Sequence, residues 1–341
     1  MKVRLVVVGA VLFLAGAGIA SLFWYYHLNA AVATVANDTV PIRQTDNSYH
    51  FINPLLAYDN PGIASEFNQY APLVNELNGA VANAKANGVQ NVGVYFRDLS
   101  LGRWMGFNEN TGFAPGSMMK TIIMIAYFKE AESNPGILTQ SFVYSSATAD
   151  ELNGIPFEAP SSLVVGQSYS AEQLIEAMIE SSDNGAKNIL LNNISQSNLA
   201  DVYTDLSLPY LDPNQNYANY FISPKQYSLI LRVLYNATYL NRADSEKALA
   251  IMTKATYKDG LVAGLPTGTT AAQKFGESVV ATADSAATMV TLSNCGIIYY
   301  PNHPYLLCVM AQGGNAGVLT KAIASISQAV WNGVDKYVVA R

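Results

Sequence analysis

"FAPGSMMKTIIMIAYF", residues 113–128, closes a loop of small residues and opens an apolar run that carries two polar side chains, Ser117 and Lys120. Three positions apart, they share one face if the run is helical. Ser117 then stands at a helix start, where unpaired backbone N–H groups and the helix dipole make a positive field. A lysine in apolar surroundings near other cations loses proton affinity through desolvation and like charge. Deprotonated, Lys120 could take the Ser117 proton, as an activated serine nucleophile requires. Ser-x-x-Lys by itself is a common pair, and a helix cap followed by an exposed lysine would read the same.

Two further elements give the pair a context. "MIESSDNGAKNILL" places Ser182-Asp183-Asn184 between two apolar helical runs, and "AAQKFGESVV" places Lys274-Phe275-Gly276 at the head of a strand. A hydroxyl and an amide in one loop, with a lysine and a glycine on an edge strand, would complete a proton-relay and anion-binding cleft. Gly276 would let a substrate backbone lie against that strand, which a side chain would obstruct. The three histidines, His27, His50 and His303, lie in an apolar N-terminal run, a linker and a predicted turn, so a serine–histidine triad is not expected.

The ordered set SMMK, SDN, KFG resembles the penicillin-recognising serine hydrolases, the class A β-lactamases and their D-alanyl-D-alanine peptidase relatives, over roughly residues 70 to 338. The resemblance implies roles residue by residue. Ser117 would be the acylated nucleophile and Lys120 its base. Ser182 would relay a proton to the leaving nitrogen, Asn184 would bind the substrate amide, and Asp183 would fix the loop. Lys274 would face a substrate carboxylate, and the backbone N–H groups of Ser117 and Glu277 would form the oxyanion hole. No metal or cofactor is implied, and no cysteine or histidine pair has metal-ligand spacing. The expected partner is a small-molecule or peptide substrate with a carboxylate; β-lactamase and D,D-peptidase are not separable, because they share acylation.

The pattern has two departures. The family's deacylating glutamate has no counterpart between Glu180 and Glu246, but "LPYLDPNQNYAN" offers Asp-Pro-x-x-Asn for its Glu-Pro-x-x-Asn. Asp212 would then be the water-activating base and Asn216 would help hold the water, with a helix-capping turn as the rival reading. Aspartate is one methylene shorter, and a displacement of about an ångström can cost on the order of a hundredfold. The second departure is Phe275, which replaces the usual hydroxyl residue between lysine and glycine. Both motivate an alternative, a low-turnover binding or sensor module for β-lactams or cell-wall peptides on the same fold; the five retained residues Ser117, Lys120, Ser182, Asn184 and Lys274 favour an enzyme.

The elements that must hold these motifs are legible in outline. "YAPLVNELNGAVANAKANG" has helical spacing and ends in glycine; "NVGVYFRDLS" and "WMGFN" read as strands joined by a turn at 101–103. From 117 to about 256 the chain reads as helices joined by polar loops. Strands return after about 270 and a helix at "AGVLTKAIASISQAVWNGVDKYV" closes the chain. The expected class is α+β: two lobes, an antiparallel sheet flanked by N- and C-terminal helices plus an all-helical insert, with the site in the cleft between them. Cys295 and Cys308 fall in a hairpin turning at 301–304, where counting sets Cys308 opposite Ile297; two small buried side chains are expected over a diagonal disulfide.

The chain has 341 residues, half of them hydrophobic and only 13% charged, with a net charge of −6. That charge and the lack of a basic cluster argue against nucleic acid. From Leu5 to Tyr26 there is no charge, a run long enough to cross a bilayer. Lys2 and Arg4 precede it and no lysine or arginine follows until Arg43, which puts residues 1–4 in the cytoplasm and the rest outside. An uncleaved anchor is favoured over a signal peptide cleaved at "AAVATVA". The expected plan is a single-pass anchor at 5–26, an extracytoplasmic linker at 27–65 and a hydrolase domain at 66–341.

Overall fold

The computed structural model describes residues 41–44, 48–58, 71–145, 161–211, 220–281 and 288–336. The chain divides into two units, Met1–Val40 with Tyr58–Gly62, and Pro41–Ala57 with Ile63–Arg341. The first lies outside the described residues apart from Tyr58, as do the charge-free run 5–26, Asp212 and Asn216. Among the described residues no helix is long and apolar enough to cross a membrane.

The second unit is built on one sheet of five strands: β3 (Val89–Asp98), β4 (Trp104–Phe107), β7 (Ala271–Ala281), β8 (Thr288–Ile298) and β9 (Tyr305–Gly313). Their order is β4-β3-β9-β8-β7 and every neighbouring pair is antiparallel, so β7 forms an edge. Successive side chains of a strand point to opposite faces. Leu307, Val309 and Ala311 accordingly pack into one core, and Leu306, Cys308 and Met310 into the other. Burial on both faces explains why "YLLCVMA" reads as an unbroken apolar run.

Helices α1 (Ala71–Ala86) and α8 (Ala316–Val334) cover the first face, through Leu73, Leu77 and Val81 and through Leu319, Ile323 and Val330. The other face carries the helical lobe: α2 (Lys120–Ala131), α3 (Ala171–Glu180), α4 (Asn184–Asn193), α5 (Gln196–Asp205), α6 (Pro224–Tyr235) and α7 (Arg242–Thr253). Helix α2 is buried at every position from Lys120 to Phe128, as an all-round apolar helix must be. Local signals set the other starts. Ser170 and Ser223 form capping boxes with Gln173 and Gln226, and Asp183 accepts the Ala186 N–H at the head of α4.

The insert is not wholly helical. A ribbon of β5 (Ser141–Val143) and β6 (Ser168–Ser170) leads into α3, and strands of three residues are too short for a period-two pattern to show. The last hairpin also departs from its expected register. Cys295 lies directly opposite Cys308, with their Cα atoms 4.0 Å apart and their sulfurs joined in a disulfide. Counting from a turn at 301–304 missed this because Tyr299 and Tyr300 leave the ladder. The Tyr299 N–H bonds the Thr270 carbonyl and its hydroxyl the Phe51 carbonyl, while Tyr300 packs on Trp331. The connection is therefore longer and the register shifts.

Part of the stretch read as linker is docked on the domain. Strands β1 (Pro41–Arg43) and β2 (Leu55–Tyr58) pair, and the Arg43 guanidinium donates to the carbonyls of Asn53 and Leu99 and to Asn236 Oδ1. The Glu246 carboxylate, on α7, accepts the N–H groups of His50 (2.7 Å), Phe51 (2.8 Å) and Ile52 (3.0 Å). Glu246→Ala should lower stability by about 1–2 kcal/mol and make the 48–57 strap more sensitive to protease. Denaturant midpoints and limited proteolysis read this out; unchanged cleavage kinetics would contradict it.

Buried tyrosines set an alkaline limit on the fold. Burial above all pushes the hydroxyls of Tyr127, Tyr227 and Tyr305 well above the ordinary tyrosine range, and that of Tyr257 up to about 12. Native tyrosines keep protons that the unfolded chain releases near pH 10, so their contribution is complete below that pH and is lost as pH rises through 10 towards 12. The unfolding free energy from urea titrations should hold steady to about pH 9 and then fall, by about 1.4 kcal/mol per pH unit for each tyrosine still protonated. A flat profile to pH 11 would show that these hydroxyls ionise without cost.

Candidate active site

The serine turn is fixed from three sides. Gly116–Met119 form a short 3-10 turn that runs into α2, with Gly116 at φ +53°. Ahead of it, Phe113 and Ile222 exchange two backbone hydrogen bonds of 3.0 Å. Below it, the Tyr227 hydroxyl, fully buried on α6, donates to the Met118 carbonyl (3.2 Å) and lies 2.9 Å from Thr121 Oγ1, which itself donates to that carbonyl at 2.5 Å. Burial keeps the Tyr227 hydroxyl protonated, so it remains a donor throughout the working range.

On the third side the turn meets β7 backbone to backbone. A Cβ on Gly116 would fall 2.1 Å from the Glu277 carbonyl oxygen, and one on Gly276 would fall 2.1 Å from the Pro115 oxygen and 2.7 Å from the Met118 nitrogen. The space at Gly276 is thus taken by the serine turn itself, not by open cleft. Only two glycines allow this approach.

Lys120 is 3% exposed, and its ammonium meets three acceptors: the Ser182 carbonyl, Ser182 Oγ at 3.2 Å and Asn184 Oδ1 at 2.6 Å. An ammonium has three protons to donate, and a buried one must place them. The acceptors come from the α3–α4 junction, where Ser182 adopts φ +62°. Asp183 holds that junction by capping α4, and its carboxylate accepts from the buried Tyr144 hydroxyl at 3.2 and 3.4 Å.

A cavity of about 360 Å³ opens at Ser117 and is lined there by Lys120, Asn184 and Glu277. Ser117 is half-buried on its wall, whereas Ser182 and Lys274 stand behind the wall, 2% and 1% exposed. On β7, Lys274 and Gly276 pair with Cys295 and Ser293 on one face of the sheet, and Phe275 and Glu277 with Asn294 and Leu292 on the other. The Asn294 amide donates to Gln273 Oε1 and to the Lys274 carbonyl, which ties the strand at this level. Phe275 is turned into the core beneath the terminal helices, its ring stacked on Tyr257 with centroids 4.1 Å apart. It supplies no hydroxyl at this point of the strand. Among the described residues no cluster of His, Cys, Asp and Glu is arranged to hold a metal ion.

The structure therefore gathers Ser117, Lys120, Ser182, Asn184, Gly276 and Glu277 at one place, with Lys274 on the same strand. Sequence reasoning missed Tyr227, Tyr144 and Asn294, which act through contacts far away in sequence. Gly116, next to the serine in "APGSMMK", was the one supporting residue with a visible local signal.

A half-buried serine on the turn that opens the first helix of a helical lobe, with a buried lysine three residues on and the edge strand of an antiparallel sheet against the turn, defines a two-lobed serine hydrolase. The model of the beta-lactamase enzyme family matches residues 72–334, and the chain belongs to that family. Its fold is shared with solved structures at low identity. A PBP-A variant in acyl-enzyme complex with penicillin-G is 20% identical, with a TM-score of 0.64 over 77% of this chain and 97% of that one. A class A beta-lactamase from Mycobacterium abscessus is 19% identical, with a TM-score of 0.65 over 76% and 99%. A beta-lactamase from Xanthomonas campestris pv. campestris is 23% identical, with a TM-score of 0.64 over 77% and 98%. A search of curated proteins gives no significant match.

Gly276→Ala should separate the strand from the serine turn and slow hydrolytic turnover by about a hundredfold, the cost that a displacement near one ångström can carry. Turnover rates of the purified variant test this; a rate within threefold of the parent would show that the seam does not set the serine position.

Proposed function

We propose that this chain is a membrane-anchored, extracytoplasmic serine acyl-hydrolase that forms an acyl-enzyme on Ser117 with a β-lactam or a peptidoglycan-type amide. The observation that carries the reading is the buried Lys120, bonded to the side chains of Ser182 and Asn184, at the wall of a cavity that opens on Ser117. Lys120, in its neutral form, takes the Ser117 proton as Oγ bonds to the substrate carbonyl carbon. The proton passes through Ser182 to the leaving nitrogen as the C–N bond breaks. The backbone N–H groups of Ser117 and Glu277 hold the oxyanion, Asn184 binds the acyl amide and Lys274 supplies positive potential for the carboxylate.

Asp212, with Asn216, is the candidate for activating the deacylating water, and its short side chain favours slow deacylation. The anchor and location follow from the charge-free run 5–26 and its flanking charges. That a related fold has been captured as a penicillin-G acyl-enzyme supports the choice of probe.

The full chain mixed with a β-lactam and followed by intact mass should gain one adduct, absent in Ser117→Ala. Lys120→Met should slow its formation by about 10²–10⁴-fold. An adduct that persists makes the protein a penicillin-binding peptidase or sensor, and one that decays with product makes it a lactamase. Hydrolysis of simple acyl esters with no adduct from any β-lactam would remove β-lactams from its substrates.

A further inference from the structure

Helix α6 meets the serine turn and the loop before it at three points. The Lys225 N–H bonds the Glu109 carbonyl at 3.1 Å, Ile222 pairs with Phe113, and the Tyr227 hydroxyl reaches the Met118 carbonyl and Thr121. All three lie in the first turn of the helix or just ahead of it. Its other end stands two turns further on: Tyr235 is roughly 12 Å along the axis from Tyr227. The last carbonyls of a helix have no partner within it. Here the Asn53 N–H takes that of Tyr235 at 2.8 Å, and the Leu55 N–H takes that of Asn236 at 3.1 Å. Both donors belong to the strap.

Arg43 completes this clamp. Its guanidinium donates to the Asn53 carbonyl in the strap, to the Leu99 carbonyl just past β3 and to Asn236 Oδ1 just past α6. It also lies over the Tyr235 ring, 5.4 Å from the centroid. One planar fork thus joins strap, sheet and helix end, and its charge suits the negative end of a helix. From α7, Glu246 fixes the same strap at residues 50–52. Ile230, Leu231 and Leu234 pack α6 into the core, but apolar packing is non-directional. The hydrogen bonds at its two ends are what set its tilt and rotation.

We infer that the docked strap is a positioning device for Ser117, and that Arg43 is the residue through which it acts. The inference rests on the reading of Ser117 as the acylated residue. A helix tied only at its start is free to tilt about that end. Such a tilt moves the Tyr227 hydroxyl, and with it the Met118 carbonyl and the turn that carries Ser117. The clamp at Tyr235 and Asn236 removes this freedom. Lifting the strap then slows the chemistry at Ser117 without unfolding the domain, so a segment remote in sequence from every motif of the site controls its rate.

The test uses the full chain and penicillin G, read by intact mass as acyl-Ser117 and by product where turnover is fast. Rates are taken at a temperature where denaturant curves show every variant folded. Arg43→Ala and Tyr227→Phe should each lower the maximal rate by about tenfold, a fraction of the hundredfold that a displacement near one ångström can carry. The half-saturating concentration should stay within about twofold, since the substrate contacts are untouched. The double variant should be no slower than the slower single one, because strap and hydroxyl act along one path. Glu246→Gln, which loosens the strap from the α7 side, should lower the rate in the same direction. Amide hydrogen exchange at 118–121 should quicken in Arg43→Ala. A folded Arg43→Ala with the parent's rate overturns the inference and leaves the serine mechanism standing. So does a double variant slowed by the product of the two single effects, the result that a merely stabilising strap would give. If the parent is inert to penicillin G, p-nitrophenyl acetate serves for the same comparisons. A parent inert to both, or Ser117→Ala reacting as fast as the parent, overturns the reading of Ser117 and the inference with it.

Discussion

The site depends on a seam where two stretches of backbone touch without side chains between them. Gly116 meets β7 and Gly276 meets the serine turn so closely that a methyl group on either would overlap a carbonyl oxygen. This contact converts the rigidity of a five-stranded sheet into a fixed position for one serine. The turn holding Ser117 is otherwise a short loop, and loops are the mobile parts of a fold. Here the Phe113–Ile222 bridge and the Tyr227 hydroxyl close the remaining directions. Ser117 is thus located by backbone packing, and the helical lobe has only to bring Lys120 to it.

Burying Lys120 carries its own cost. An ammonium removed from water is unstable unless each proton finds an acceptor. Lys120 finds them at the α3–α4 junction, and the same acceptors position the hydroxyl of Ser182 and the amide of Asn184. One demand, satisfying a buried cation, therefore organises two further functional groups. Asp183 serves that end indirectly: capping α4 and accepting from Tyr144, it holds Ser182 in a left-handed conformation that a serine seldom adopts unaided.

What could be read from the sequence was what short spacing determines. The Ser117–Lys120 pair, the helix starts at Ser170, Asp183 and Ser223 and the apolar strands all carry local signals. The order of the three motifs carried the rest of the site. What could not be read depends on partners far away in the chain. The register of β8 on β9 is set by Tyr299 bonding Phe51 and Tyr300 packing on Trp331, and no count of turn residues contains those contacts. The direction of Phe275 is decided by Tyr257, and the support of Ser117 by Tyr227. The docked strap at 48–57 was read as linker because its composition is polar and aperiodic; its order comes from Arg43 and Glu246, single charged groups that satisfy backbone atoms.

That strap means that the folding unit and the region of family likeness have different borders. The match begins at residue 72, yet the carboxylate of Glu246, on α7, takes its three donors from residues 50–52. Tyr299 finds its acceptor there as well. A chain trimmed to the homologous region would keep every motif of the site and lose the partners of a charge and a hydroxyl. For this protein, the stretch that matches the family is shorter than the stretch its hydrogen bonds tie together.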